Sequence, residues 1–166
     1  LSRFTSKWDA SGQIPQRLVD DGTISRFGAV DDTEGGNTSR SNFNVTYRKP
    51  IDSNTFIKAN TFYSNYNFEL FSNFTFFLED PINGDQIKQK ETRDIYGINA
   101  ELNKKIVRDK TDLLFQLGFG VRDDSTNDSE LSHTKNRTEV LEQIKLGDID
   151  ESNVFTYLNT EIRLGK

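Results

Sequence analysis

Two short acidic segments are the places in this sequence where metal chemistry could occur. Asp31-Asp32-Thr33-Glu34-Gly35-Gly36 sets three carboxylates beside two glycines, and Asp123-Asp124-Ser125-Thr126-Asn127-Asp128 has a similar composition. Oxygen-rich loops of this kind can hold Ca²⁺. Neither segment has the alternate spacing and distal glutamate of an EF-hand, so we interpret both as solvated loops and predict no metal site.

Other catalytic chemistry has little support. The single histidine, His133, stands between Ser132 and Thr134 without a visible partner, and we predict an exposed loop residue. The chain has no cysteine, which removes disulfides, thiolate metal sites and cysteine catalysis. No Ser/His/Asp order or phosphate-binding loop is present. The sequence therefore predicts neither an enzyme nor a cofactor.

The elements that must position any functional residue read as β-strands. Phenylalanine is abundant, with 13 residues, and stands among Thr, Tyr, Asn and Ser rather than among helix formers. In the clearest segment Leu113, Phe115, Leu117, Phe119 and Val121 alternate with mostly polar or small residues. Similar alternation occurs over 42–47, 96–103 and 154–164. A longer aromatic stretch, 55–78, follows the pattern except at Phe56 and Phe62.

Two segments also fit helical spacing. Ile95, Ile98, Leu102 and Ile106 could share one helix face, although Gly97 favours the strand interpretation of 95–103. A short loop helix within 138–146 is the second alternative.

The connections alternate in length, which predicts an up-and-down sheet with long loops at one end. The long polar connections are 14–40, 79–93 and about 123–153, and those at 48–54 and 103–112 are short. The middle loop contains Asn83-Gly84, a pair suited to a tight hairpin turn, so its flanking strands could extend beyond the core.

Charge restricts the partners and the environment. A net charge of −5 without a Lys/Arg-rich block argues against nucleic acid. In the alternating segments every charged residue lies on the polar phase, namely Lys58, Glu101, Arg122, Glu161 and Arg163. An arginine or lysine on a lipid-facing phase would cost about 2–4 kcal/mol at the bilayer midplane. This separation of charged from apolar residues therefore favours a membrane barrel. A soluble sandwich remains an alternative, because it also hides an apolar face.

Several segments resemble the barrel of TonB-dependent outer-membrane receptors. Residues 6–15, SKWDASGQIP, and 25–40, SRFGAVDDTEGGNTSR, resemble a strand end and an external loop of this family. The following strand 41–47, the aromatic run 62–66 (FYSNY) and 158–163 (LNTEIR) are also similar to receptor strands.

The resemblance implies an all-β, antiparallel, up-and-down transmembrane β-barrel segment with long extracellular loops. Residues 1–166 would form a partial barrel domain of six to eight strands in the cell outer membrane, without the plug domain and the closing strands. Its partners would be outer-membrane lipid, TonB through the missing plug, and a scarce ligand such as an iron-siderophore, cobalamin or a glycan. Arg122, Glu161 and Arg163 would line the lumen and pair with one another, with the plug or with the ligand. The alternative is a soluble all-β surface module that binds glycans or acts as an adhesin.

Overall fold

The computed structural model describes residues 1–164, which form six β-strands and one short helix. Gly165 and Lys166 lie outside the described residues. The elements in chain order are β1 (Ser2–Asp9), α1 (Gln16–Asp20), β2 (Gly35–Pro50), β3 (Thr55–Ser72), β4 (Ile87–Arg108), β5 (Thr111–Lys135) and β6 (Glu139–Leu164).

The strands form one antiparallel sheet in which every strand pairs with its neighbours in sequence. The prediction of an all-β, antiparallel, up-and-down fold is therefore confirmed. The sheet is open, because within residues 1–164 β1 pairs only with β2 and β6 only with β5. The segment 95–103 lies inside β4, as the strand interpretation predicted. The alternative of a helix within 138–146 is wrong, because residues 139–146 belong to β6.

Antiparallel order brings the three odd-numbered connections to one end of the sheet, which we call the loop end. They comprise residues 10–34, 73–86 and 136–138, whereas the opposite end carries the short turns 51–54 and 109–110. The first two long connections were predicted. The strands that follow them, β2 and β4, begin earlier than expected. The Asn83-Gly84 pair forms a turn inside the second connection, where Gly84 adopts a φ of +85° and donates to the Asp80 carbonyl.

The prediction of a third long loop over 123–153 is wrong. Its residues extend β5 and β6 into a long hairpin closed by a three-residue turn. Cross-strand bonding overrides the low β-propensity of Asp, Asn and Ser here, since the ladder satisfies the backbone of both strands. Register shifts between Thr126 and Ser129, between Leu131 and Ser132, and between His133 and Thr134 accommodate the less regular positions.

The sheet has almost no hydrophobic core. Within residues 1–164 the only buried apolar side chain of appreciable size is Phe71, which is 6% exposed. No helix among the described residues is long and apolar enough to cross a membrane.

Candidate functional site

Strand register sorts the side chains onto two faces of different chemistry. One face, which we call the apolar face, carries a mainly apolar band across five strands. The cations Lys49, Lys104 and Arg108 share this face towards the end with the short turns, where Lys104 lies opposite Phe115. The members of the band are uncharged. They are Phe43, Val45, Tyr47, Ile57, Ala59, Thr61, Tyr63, Tyr96, Ile98, Ala100, Leu102, Leu113, Phe115, Leu117, Phe119, Val121, Val154, Thr156, Leu158, Thr160, Ile162 and Leu164.

This apolar band is open to its surroundings. Leu117 is 51% exposed, and its cross-strand neighbours Leu102 and Leu158 are 38% and 70% exposed. No second sheet covers the row from Leu113 to Val121, because the described chain contains a single sheet. Contiguous apolar surface of this kind marks a site of contact with another apolar phase.

Aromatic residues mark the boundary of the band nearest the loop end. Phe43, Tyr63 and Tyr96 are consecutive cross-strand partners, and the Tyr63 hydroxyl donates to Asp94. Tyr63 thus has an apolar ring beside the band and a polar tip beyond it, which suits an interface between oil and water. Trp8, the single tryptophan, lies on the opposite face.

The opposite face, which we call the polar face, carries amides, charges and aromatic rings. Its central rows contain Asn44, Thr46, Lys58, Asn60, Asn99, Glu101, Asn103, Gln116 and Asn159. The amides bond to one another across strands, as in Asn60 to Asn44 (2.9 Å) and Asn159 to Gln116 (2.7 Å).

The aromatic rings on the polar face lie over glycines of the adjacent strand. A Cβ at Gly118 would come within 2.1 Å of the Tyr157 ring, and one at Gly120 within 2.3 Å of the Phe155 ring. An aromatic ring that covers a strand glycine helps to fix strand register. The direct cross-strand pairs of this type are Trp8 with Gly36, Phe62 with Gly97, Phe155 with Gly120 and Tyr157 with Gly118.

Valine at Gly118 is expected to destabilise the sheet by about 1–3 kcal/mol, because its side chain would occupy the space of the Tyr157 ring. The defect should shrink when Tyr157 is also replaced by alanine. Chemical unfolding of the chain in detergent measures both effects. The matched control is Gly147→Val in β6, where an added Cβ meets nothing within 4 Å and stability should change by less than about 0.5 kcal/mol. Equal losses in the two valine variants would contradict the packing role of Tyr157.

A cavity of about 410 Å³ lies beside these rings. Tyr157 donates to Glu101 (Oη to Oε2, 2.6 Å), and the second oxygen of that carboxylate accepts from Asn103 (2.6 Å). Lys58 is the direct cross-strand partner of Glu101. The cavity therefore combines one cation, one anion and neutral amides with aromatic surface. Its lining consists of Thr46, Lys58, Asn60, Asn99, Ala100, Glu101, Phe119, Phe155 and Tyr157.

The three predicted ligand contacts share the polar face, but only Glu161 and Arg163 are brought together. Arg163 bonds to Glu161 (2.7 Å) near the turn end, where Glu161 lies opposite Leu114. Arg122 instead bonds to Asp124 (2.6 Å), eight residues further along β5 from Leu114. That separation is about 27 Å along the strand. A single small ligand cannot touch both groups.

At the loop end, Arg137 joins all three connections, and we call the residues around it the loop cluster. The Arg137 guanidinium donates to the backbone carbonyls of Thr33 and Glu34 and to the Asp9 carboxylate (2.9 Å). Its backbone N–H donates to Gln86 (2.9 Å). The loop cluster consists of Asp9, Asp31, Thr33, Glu34, Phe71, Asn73, Gln86, Thr134 and Arg137.

Gln86 is the second junction of the loop cluster. Its side-chain amide donates to the Thr33 hydroxyl (2.6 Å), and its carbonyl oxygen accepts from Thr134 (3.2 Å) as well as from Arg137. Gln86 and Thr134 are 2% and 1% exposed. The first and second connections are thus anchored to the end of β5.

The acidic segment in the first connection is partly buried, which corrects the solvated-loop prediction. Glu34 is 4% exposed, and its Oε1 has no hydrogen-bond partner within residues 1–164. Burial raises the pKa of Glu34, and the nearby charge of Asp31 raises it further, against the opposing effect of the Asn73 backbone N–H. Burial alone would raise the pKa of Asp31, but hydrogen bonds from Asn73 and Thr33 outweigh it and lower the pKa.

Replacement of Glu34 by glutamine is expected to stabilise the loop cluster at neutral pH. The folded state holds the Glu34 proton to higher pH than the unfolded state, so stability falls as pH rises from about 4.5 through the folded pKa. Glutamine cannot ionise, and this fall should disappear. Thermal unfolding in detergent between pH 4 and pH 8 measures it, with the exposed neighbour Asp32→Asn as control. A pH profile unchanged by Glu34→Gln would contradict the raised pKa of Glu34.

The remaining chemical candidates occupy different places from those predicted. His133 lies in β5, half-buried, with Nε2 2.6 Å from the Gly84 carbonyl oxygen, so the exposed-loop prediction is wrong. Asp123 to Asp128 also lie within β5 rather than at a loop tip. Within the described residues no group of three or more His, Cys, Asp or Glu side chains could hold a metal ion.

Sequence reasoning missed the rings over glycine and the role of Arg137. A signal for the first was present, since Phe62 departed from the alternation, while Gly118 and Gly120 occupied the polar phase of β5. No local signal identifies Arg137, because its partners lie 51 to 128 residues away in the chain.

Comparison with family models, with curated proteins and with solved structures found no match to this chain.

Proposed function

We propose that this chain forms part of the wall of a transmembrane β-barrel in an outer membrane. The observation that carries the proposal is the mainly apolar face, which spans five strands and is covered by nothing in the described chain. Its cations, Lys49, Lys104 and Arg108, lie towards the end with the short turns. Its lipid contact would explain why five consecutive alternate positions of β5, from Leu113 to Val121, are all apolar. These positions extend about 27 Å along the strand, close to the roughly 25 Å apolar band of such barrels.

The open edges support the same placement. β6 has 26 residues and β1 has eight, and each has one unpaired side within residues 1–164. Unpaired edges invite association, and a closed barrel removes them. Additional strands would satisfy both edges and continue the apolar face around the barrel.

The polar face would then line the lumen. Lys58, Glu101 and Arg122 lie on it, where water or other protein can solvate them, rather than against lipid. The loop cluster would stand on the external side, beyond the aromatic boundary of the band. Glu161 and Arg163 would line the opposite end of the lumen.

The specific function that we propose is TonB-dependent uptake of a scarce ligand. Support comes from the segments that resemble such receptors, which fall in β1 and the first connection, in β2, in β3 and in β6. The ligand would be an iron-siderophore, cobalamin or a glycan, and TonB would act through a plug domain that these residues do not supply.

Detergent dependence tests the membrane placement. The proposal expects the chain to aggregate in plain buffer and to become monodisperse and β-rich by circular dichroism in detergent micelles. The competing function, a soluble all-β surface module for glycan binding or adhesion, requires a covered apolar face. A folded, monodisperse monomer without detergent would support that module and contradict the barrel.

Energy coupling tests the uptake function separately. In cells that make the complete protein, collapse of the proton-motive force should stop ligand accumulation while surface binding persists. Accumulation that continues unchanged would contradict TonB-dependent transport and would leave a passive barrel.

A further inference from the structure

We propose that the cavity beside Phe155 and Tyr157 is a binding site for a neutral saccharide. The proposal rests on the proposed function for its setting, since it names the class of ligand that the lumen-facing surface would take. It is carried independently by the chemistry of the cavity.

The first step concerns the two aromatic rings. The ring planes of Phe155 and Tyr157 are nearly parallel, 15° apart, and the ring centroids are separated by 6.5 Å. Each ring lies next to a glycine of β5, which has no side chain to cover it. The two residues are 46% and 42% exposed. The π faces are electron-rich and attract the weakly positive C–H bonds of a pyranose ring.

The second step concerns the polar groups around the rings. Thr46, Asn60 and Asn99 supply one hydroxyl and two carboxamides along the cavity. Carboxamides and hydroxyls can each donate and accept, as sugar hydroxyls do. Polar groups placed around apolar surface are typical of sites that fix the orientation of a small molecule.

The third step excludes strongly charged ligands. Lys58 and Glu101 lie directly opposite each other, and Glu101 is further held by Tyr157 and Asn103. All other cavity-lining side chains are uncharged, so the site carries no net charge. A neutral ligand rich in hydroxyl groups fits this balance, whereas an anionic metal chelate would need excess positive charge. Among the ligands of the proposed function, the cavity selects the glycan.

Calorimetric titration of the full chain in detergent micelles tests the inference. The probes are maltohexaose, cellohexaose and chitohexaose, with ferric citrate as the anionic comparison. We expect saturable binding of at least one saccharide and none of ferric citrate. Phe155→Ala and Tyr157→Ala should each weaken that binding about three- to tenfold, the range expected for one aromatic contact.

Two further variants keep the result interpretable. Tyr157→Phe retains the ring and removes only the bond to Glu101, so it should retain most of the affinity and verify that folding is intact. Trp8→Ala removes a ring that covers Gly36, outside the cavity, and should leave the affinity unchanged.

Failure of the site and failure of the barrel are distinguishable. Absence of saturable binding by all three saccharides, or equal binding by Tyr157→Ala, would overturn the saccharide site even if the chain requires detergent. Saccharide binding that depends on Tyr157 in a chain soluble without detergent would support the site and overturn the membrane placement.

Discussion

Arginine in place of Leu117 is expected to prevent stable insertion of the chain into a bilayer. Leu117 lies at the middle of the apolar face, between Leu102 and Leu158 on the adjacent strands. A lipid-facing arginine at the midplane costs about 2–4 kcal/mol, which lowers the equilibrium constant for insertion by roughly 30- to 1000-fold. Flotation of the chain with phospholipid vesicles after dilution from urea measures the inserted fraction.

Gln116→Arg provides the control for this experiment. Gln116 precedes Leu117 on β5 and projects from the polar face, where it bonds to Asn103 and Asn159. Its replacement introduces the same charge in the same strand, but on the side assigned to the lumen, and should leave insertion nearly unchanged. If both variants float equally well, the apolar face is not in contact with lipid.

Alanine in place of Arg137 is expected to release the first connection, residues 10–34. The variant loses charge-assisted hydrogen bonds to Thr33, Glu34 and Asp9, and each such bond contributes about 1.5–3 kcal/mol. Because losses within one cluster are not additive, we expect a total of about 2–4 kcal/mol. Hydrogen exchange of residues 10–34, followed by mass spectrometry, measures the effect. The exchange of their backbone amides should become faster by the factor that corresponds to this loss of free energy.

The matched control is Arg163→Ala. Arg163, near the end of β6, also bonds to a carboxylate, that of Glu161, but its side chain is 73% exposed whereas that of Arg137 is 24% exposed. An exposed pair contributes about 0–1 kcal/mol, so exchange at the loop end should not change. Unchanged exchange in the Arg137 variant would show that the first connection is held by other contacts.

The two faces of the sheet could be predicted because they depend on a period of two residues. Successive side chains of a strand point to opposite faces, so Leu117 and Gln116 can be assigned to different faces from their positions alone. Strand register then aligns the faces of neighbouring strands. The distribution of Lys58, Glu101 and Arg163 on one phase was therefore visible before any coordinates.

The loop end could not be predicted in the same way. The segment 123–153 is rich in turn-forming residues, yet its hairpin pairing dominates and register shifts absorb the irregular positions. The contacts of Arg137 depend on how three connections meet, and the burial of Glu34 depends on Gly12, which lies directly against its carboxylate. Such contacts leave no local pattern.

Site-directed spin labelling of β5 tests the lipid contact of the apolar face most directly. The chain has no cysteine, so single cysteines can be introduced at the odd positions from 113 to 121 and at the even positions 114, 116 and 122, and labelled in lipid vesicles. The account predicts that labels at the odd positions collide with oxygen dissolved in the bilayer, while labels at the even positions collide with a water-soluble nickel complex. Odd positions that are open to the nickel complex, or shielded from both reagents, would contradict it.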